Sequence, residues 1–240
     1  MNFVVYGQAR TGSSLLVQLL GSHPQIRYTG EILNPNRWRR TIKRYLYVVV
    51  RRIPEPYVFW EASRATKVSF GFKLLHNQVP VSPRLMSNLH RYGWQLIHIQ
   101  RRSLFDVAIS RQVARRTQHW GDYEPSLSAI DYEIATEEFL SQLQQCVRIR
   151  QKEFHTLADL SHIPVVYEDD LLSEEGRQHI CGRIFASLQI ELHQVTTTRK
   201  RSWDRPYREM ISNYIDLQSL MQTRQGQALE TEWEQLLTNG

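Results

Sequence analysis

An eight-residue segment near the start of the chain, GQARTGSS at residues 7–14, has the residue types of a phosphate-binding loop. It follows an apolar run at residues 3–6 and precedes another at residues 15–20. A strand, a turn with two spaced glycines and an apolar helix are the setting of the motif GxxxxGK(S/T), whose lysine reaches the terminal phosphates of a nucleotide. Ser13 stands where that lysine belongs. The segment therefore predicts an anion-binding site that does not use the lysine of this motif.

Most of this loop can bind an anion without a lysine. Its glycines permit backbone conformations that a side chain would block, and the amides of Thr11–Ser14 would point into the concavity at a helix N-terminus. Arg10, two residues before Gly12, supplies positive charge within the loop. A glycine-rich turn that only joins a strand to a helix is the alternative.

A second group of polar residues follows a later apolar run, where Arg102 precedes a helical pattern that contains Ser110. The helical period places these two residues two turns apart on roughly one side. They follow the carboxyl end of a predicted strand, where open α/β sheets bind ligands. An arginine and a hydroxyl so placed could hold one further phosphate. An exposed arginine and an ordinary helix serine are the alternative.

The elements that must position these residues alternate between strands and helices. This alternation predicts an α/β fold of three layers, α/β/α, with a central and mainly parallel sheet, the phosphate-binding loop near the N-terminus and extra helices toward the C-terminus. We expect one domain over residues 1–240. Apolar runs predict strands at 3–6, 69–74, 94–99 and 163–167, and helical periods predict helices at 13–21, 55–66, 83–92, 104–117, 127–158, 174–187, 207–220 and 227–237.

Composition limits the class of protein. The chain has 240 residues, a formal charge of +6 and a pI of about 9.4, which favours an anionic partner. Two cysteines far apart in sequence and histidines without metal-ligand spacing predict neither a disulfide framework nor a metal site. The first strand begins at residue 3, and no apolar stretch approaches the roughly 20 residues of a membrane span. We therefore expect a cytoplasmic protein.

Together, the loop and the second group closely resemble the sulfotransferases that use 3′-phosphoadenosine 5′-phosphosulfate (PAPS). The resemblance implies that the loop binds the 5′-phosphosulfate, that the second group binds the 3′-phosphate and that no metal is required. It explains the missing lysine, because PAPS has no β- and γ-phosphate chain. The arginine in this loop resembles the loop of the bacterial members that modify carbohydrates and lipids. The matching residues are Arg10, Thr11, Gly12, Ser13 and Ser14 in the loop, and Arg102, Asp106 and Ser110 in the second group.

An acceptor hydroxyl needs a general base, for which the resemblance implies two candidates. Glu31, in YTGEILNP, is similar to the Gly-Glu after the second strand of bacterial members. His76 is similar to a strand-end histidine of cytosolic members, but it follows Lys73 by three residues instead of two, and one residue reverses a side chain in an extended segment. We favour Glu31, and expect Lys73 to contact the leaving phosphate. The alternative for Glu31 is a helix cap, and the alternative for His76 is a hydrogen bond with a loop carbonyl. For Lys73, it is a lysine that only caps the edge of the sheet.

Two basic segments fit an anionic ligand less specifically. Arg199 and Lys200 are similar to the start of an Arg-Lys-Gly segment that closes over the 3′-phosphate in cytosolic members, but no glycine follows here. A solvated loop is the alternative. Residues 36–52 mix charge with aromatic side chains in the region where the family builds its acceptor site. A solvated helix face and a weak contact with a membrane surface are the alternatives.

The expected reaction is in-line transfer of a sulfuryl group from PAPS to a hydroxyl of a carbohydrate, a glycolipid or a small natural product. The sequence does not select among these acceptors. A small-molecule kinase would lack the loop lysine that contacts the transferred phosphate. A nucleic-acid-binding protein would explain the charge but not the pairing of the loop with Arg102 and Ser110. A family member that binds the nucleotide without catalysis is the third alternative.

Overall fold

The structure is a computed structural model that describes residues 1–39, 44–80, 82–118, 131–197 and 206–238. The chain divides into two compact units. The first contains residues 1–100 and 153–197, and the second contains residues 101–152 and 198–239. The expectation of one domain over residues 1–240 stays a prediction.

Helices and strands alternate through the described residues. The strands are β1 (Phe3–Gly7), β2 (Ile26–Tyr28), β3 (Ser69–Leu75), β4 (Gln95–Gln100) and β5 (His162–Val166). The helices are α1 (Ser13–Gly21), α2 (Pro35–Arg39), α3 (Arg44–Arg52), α4 (Glu55–Ser63), α5 (Ser82–Arg91), α6 (Leu104–Thr117), α7 (Thr136–Leu157), α8 (Glu174–Leu188), α9 (Tyr207–Met210), α10 (Tyr214–Met221) and α11 (Arg224–Thr238).

The first unit is built on a sheet in which these five strands run parallel, in the order β2-β3-β1-β4-β5. Strand β1 lies at the centre and pairs with both β3 and β4. The turn that follows β1 therefore leaves from the middle of the carboxyl edge of the sheet. This is the edge at which open α/β sheets bind ligands.

Helices cover both faces of the sheet. Alternate side chains of β1 therefore pack in two different hydrophobic clusters. Phe3 and Val5 pack in a cluster with residues of α1 and α8. Val4 and Tyr6 pack in a second cluster with residues of α4 and α5. A strand that is buried on both faces reads as a continuous apolar run, as residues 3–6 do. The expected three-layer α/β/α architecture is confirmed.

The second unit has a core of its own, formed by helices. Leu104, Val107 and Ala108 of α6 pack with Phe139 of α7 and Trp233 of α11. Helix α6 therefore contributes its apolar side chains to the core of this unit. Helices α9, α10 and α11 are the extra helices expected toward the C-terminus.

Three differences from the predicted elements have local causes. Strand β2 has only three residues with Arg27 at its centre, which is too short for a recognisable period. The helix predicted over 127–158 is observed as α7, and residues 119–130 lie outside the described part of the chain. The pattern at 207–220 is interrupted because Ile211 forms a parallel bridge with Tyr132.

Both cysteines, Cys146 and Cys181, are free and buried. Burial raises the pKa of the Cys181 thiol to about 12, so this thiol stays protonated near neutral pH. In the described part of the chain, every helix is too short or too polar to cross a membrane.

Candidate functional site

The turn between β1 and α1 contains two residues in the left-handed region. Gly12 has a φ of 90° and Arg10 has a φ of 74°. The left-handed conformation costs a residue other than glycine about 1–2 kcal/mol. Such strain is concentrated at functional sites. The Thr11 hydroxyl donates to the Gln8 carbonyl at 2.9 Å, which stabilises the turn from within.

Helix α1 begins immediately after this turn. The amides of Leu15 and Leu16 donate to the Gly12 carbonyl at 2.9 and 3.2 Å, so the helical pattern starts at Ser13. Gly12 has no side chain that could cap the helix, and the first amides of a helix have no partner within it. The helix N-terminus therefore suits an anion, as the loop sequence predicts.

Tyr167, to which the sequence analysis assigned no role, packs its ring against the backbone of Gly12. A Cβ atom on Gly12 would lie 2.3 Å from Cδ2 of that ring. Tyr167 opens a single π-helical turn, Tyr167–Leu171, directly after β5. The Asp170 carboxylate accepts a hydrogen bond from the Val166 amide at 2.7 Å, which fixes this turn to the strand. Gly12 thus serves both the turn's conformation and its packing.

Three of the predicted site residues, Ser14, Lys73 and Glu31, form one connected group. The Lys73 ammonium lies 2.6 Å from Oε1 of Glu31 and donates to the Ser14 hydroxyl at 3.1 Å. The side chains of Lys73 and Glu31 are only 10% and 22% exposed, so water screens this ion pair less than it screens a surface pair. The group joins the first turn of α1 to the segments at the carboxyl ends of β2 and β3.

Two amides that the sequence analysis did not identify hold the other oxygen of Glu31. The side chains of Asn34 and Gln78 donate to Oε2 at 2.6 and 2.7 Å. Asn34 follows Glu31 by three residues, a spacing that could have indicated a local contact in a turn. Gln78 is 47 residues away in sequence, and no local signal points to it. The carboxylate is therefore oriented by three donors.

His76, the second candidate base, follows β3 directly. Its amide donates to the Gly7 carbonyl at 3.3 Å, which places the residue beside the start of the loop. The Lys73 amide donates to the Gly30 carbonyl at 3.0 Å, which extends the pairing of the two segments beyond β2. His76 thus lies beside the start of the loop, whereas the Lys73 side chain forms an ion pair with Glu31.

Part of the basic run at residues 36–52 packs beside this polar group. The Tyr47 hydroxyl donates to the Gln78 carbonyl at 3.1 Å. The Trp38 ring centroid lies 5.8 Å from that of Tyr47 and 4.8 Å from that of Tyr57. Aromatic side chains therefore adjoin the residue that holds Glu31. Exposed apolar side chains on α3 are Leu46, Val48 and Val49.

Tyr6, near the end of β1, carries a further hydroxyl in the first unit. Burial raises the pKa of this phenol well above its usual value, and the charge of Glu153 raises it further, against a smaller opposing effect of a hydrogen bond with Thr156. The phenol therefore stays neutral near pH 7, which excludes it as a general base at that pH.

In the second unit, Arg102 stands two residues before α6 and Ser110 lies within this helix. The Arg102 side chain is exposed, and Ser110 is buried. Ser103 caps the helix, since its hydroxyl accepts a hydrogen bond from the Asp106 amide at 3.1 Å. Asp106 also forms an ion pair with Arg101 at 3.2 Å. The segment before α6 is thus an ordered turn.

Arg199 and Lys200 lie outside the described residues. Among the residues that the structure describes, no three side chains of His, Cys, Asp or Glu are grouped so that they could hold a metal ion.

Two solved structures share this architecture over nearly the whole chain. One is a sulfotransferase from Alicyclobacillus acidocaldarius, with 14% identity, a TM-score of 0.56, and coverage of 99% of this chain and 95% of that chain. The other is the sulfotransferase domain from the curacin biosynthetic pathway, with 10% identity, a TM-score of 0.54 and coverage of 97% of each chain. The chain has the sulfotransferase fold. No family model and no curated protein matches the sequence.

The likeness in fold agrees with the resemblance inferred from the loop and from Arg102 and Ser110. In this sulfotransferase fold, the β1–α1 turn and the group of Ser14, Lys73 and Glu31 occupy the carboxyl edge of the sheet. Two cations, a helix N-terminus and an oriented carboxylate therefore lie in one unit. Such a set can bind an anion and accept a proton.

We expect Gly12→Ala to destabilise the protein more than Gly93→Ala. Both glycines have positive φ, 90° and 74°, so each alanine carries similar backbone strain. Only at position 12 does the added Cβ meet another group, the Tyr167 ring, whereas nothing lies within 4 Å at position 93. Chemical denaturation gives the free energy of unfolding of both variants. Equal losses would contradict the packing of Tyr167 on Gly12.

Proposed function

We propose that this protein is a sulfotransferase that moves a sulfuryl group from PAPS to a hydroxyl acceptor and releases adenosine 3′,5′-bisphosphate (PAP). One observation carries the proposal. In a chain with the sulfotransferase fold, an arginine-bearing turn at the start of α1 lies at the same edge of the sheet as the connected group of Ser14, Lys73 and Glu31. This edge offers positive charge to a donor and a carboxylate to an acceptor.

The turn binds the 5′-phosphosulfate in this proposal. The first amides of α1 and the hydroxyls of Ser13 and Ser14 donate to its oxygens, and Arg10 stabilises the bridging oxygen as PAP leaves. The Thr11 hydroxyl already donates to the Gln8 carbonyl, so the amide of Thr11 is its contribution to the anion. Lys73, which donates to the Ser14 hydroxyl, stabilises the leaving phosphate in this proposal.

Arg102 and Ser110 bind the 3′-phosphate, a part of the proposal that rests on the sequence resemblance. The guanidinium supplies charge-assisted hydrogen bonds, which are stronger than neutral ones. Arg199 and Lys200 add positive charge toward the same phosphate. PAPS has no chain of β- and γ-phosphates that would require a bridging metal, so the proposed reaction uses none.

Glu31 is the proposed general base. Lys73, Asn34 and Gln78 hold its carboxylate in one orientation, which favours proton transfer from a hydroxyl in a fixed position. His76 remains the second candidate, because it follows β3 and its amide donates to the Gly7 carbonyl at the start of the loop.

The acceptor is a hydroxyl of a carbohydrate, a glycolipid or a small natural product, and it lies beside the aromatic residues of the 36–52 segment. Tyr47 contacts the backbone of Gln78, which in turn holds Glu31, and this chain of contacts supports the placement. The exposed apolar residues of α3 and the nearby arginines are compatible with a weak contact at a membrane surface. We propose a cytoplasmic, bacterial enzyme that does not bind nucleic acid.

The donor is tested by calorimetry with PAP and AMP. We expect PAP to bind at least about tenfold more tightly, since the 3′-phosphate adds charge-assisted hydrogen bonds. Arg102→Ala should weaken the binding of PAP and bring its affinity closer to that for AMP, and Arg91→Ala, an exposed arginine at the end of α5, should leave both affinities unchanged. Equal affinities of the wild-type protein for the two nucleotides would refute the proposed donor.

Arg10→Ala should lower the rate of sulfuryl transfer by about 10²–10³-fold, because it removes a preorganised donor to the leaving oxygen. Alanine carries the same backbone strain as arginine at a φ of 74°, so the change in rate reflects the loss of the side chain. Transfer of labelled sulfate from PAPS to a supplied acceptor measures the rate. A rate within a factor of about three of wild type would exclude Arg10 from the mechanism.

Comparison of Glu31→Gln with His76→Asn identifies the base. Glutamine preserves the size of the side chain and an acceptor for Lys73 but cannot take a proton near pH 7. We expect Glu31→Gln to lower turnover by about 10²–10⁴-fold with nearly unchanged affinity for PAP, and His76→Asn to retain turnover. The reverse pattern would assign the proton transfer to His76.

A further inference from the structure

The second unit contains a buried arginine that neither its core nor the proposed chemistry explains. Arg150 of α7 is 1% exposed, and Trp233 of α11 is fully buried beside it. The guanidinium carbon of Arg150 lies 3.3 Å from the centroid of the Trp233 ring. Burial of a charge is unfavourable, and an apolar side chain of similar volume at such a position is often as stable. The contacts of this arginine therefore indicate a purpose beyond packing.

Those contacts lead to the backbone that carries Arg102. Arg150 donates to the Arg101 carbonyl at 2.7 Å and to the Trp233 carbonyl at 3.1 Å. The indole Nε1 of Trp233 donates to the Arg102 carbonyl at 2.6 Å. Two successive carbonyls are thus held by two buried donors that are themselves stacked on each other.

The other side of the same turn is fixed by local contacts. The hydroxyl of Ser103 caps α6, and Arg101 pairs with Asp106 at the first turn of the helix. Peptide planes on both sides of the Arg102 Cα are therefore restrained, whereas the Arg102 side chain is exposed. Restraint of the peptide planes limits the directions in which the Cα–Cβ bond of Arg102 can point.

We propose that Arg150 and Trp233 are positioning residues that orient Arg102 toward the 3′-phosphate of the donor. This inference rests on the proposed function, in which Arg102 binds that phosphate. A preorganised arginine loses less conformational freedom on binding, which raises affinity. The pair therefore contributes to the discrimination between 3′-phosphorylated and plain nucleotides, although neither residue contacts the nucleotide.

The test compares the affinities of three variants for PAP and for AMP by calorimetry. Arg150→Met removes the donor to the Arg101 carbonyl and keeps an unbranched side chain over the Trp233 ring. Trp233→Phe removes the donor to the Arg102 carbonyl and keeps an aromatic ring for Arg150. Arg148→Met, an exposed arginine on the same helix, is the matched control.

We expect Arg150→Met to weaken the binding of PAP by about tenfold and Trp233→Phe to weaken it by about threefold to tenfold, with AMP affinity unchanged. Arg148→Met should alter neither affinity. In an Arg102→Ala background, Arg150→Met should cause no further loss of PAP affinity, because the effect is transmitted through Arg102.

A purely structural role would weaken the binding of both nucleotides alike or of neither, and either result would overturn the inference. An additive loss in the Arg102→Ala background would overturn it as well. Should Arg150→Met fail to fold, Trp233→Phe and its combination with Arg102→Ala supply the same two comparisons. Failure of the proposed function is seen separately, because the wild-type protein would then bind PAP no more tightly than AMP.

Discussion

The ion pair of Lys73 with Glu31 is the interaction on which the candidate site depends. It joins Glu31, which follows β2, to Lys73 near the end of β3, and the further contact of Lys73 with Ser14 includes the first turn of α1. Both side chains are largely withdrawn from water. Loss of either charge would leave the other partly buried with only neutral partners, which is unfavourable. One contact thus maintains the relation between the anion-binding turn and the carboxylate.

The sequence predicted the elements of this site better than the contacts between them. The bounds of α1 and α6 were predicted to the residue, because strong helical periods and clear flanking signals define both. Lys73 and Glu31 were each selected, but with separate roles, since nothing in their spacing indicates that they form a pair. Gln78 and Tyr167 were not identified, because their partners are distant in sequence. Periodicity reports burial, whereas long-range polar contacts depend on the assembled sheet.

Arg10 and Arg150 each occupy a position that is locally unfavourable for an arginine. Arg10 occupies a left-handed conformation that glycine would adopt without cost, and such backbone strain is concentrated at functional sites. Arg150 is likewise buried where an apolar residue would suffice for packing. In the proposed function, both arginines contribute to the placement of charge for an anionic ligand. The positive charge that composition reveals is therefore held in defined geometries.

The packing of Tyr167 on Gly12 also bears on the order of events during synthesis. More than half of the chain separates the two residues, so a ribosome has exposed the anion-binding turn long before the ring that supports it emerges. Strand β1 likewise pairs with β3 and β4, which are synthesised later, and such non-local pairing is slow to form. Incomplete chains that end before β5 therefore lack the support for the turn. The turn should therefore reach its final packing only after β5 and Tyr167 have left the ribosome.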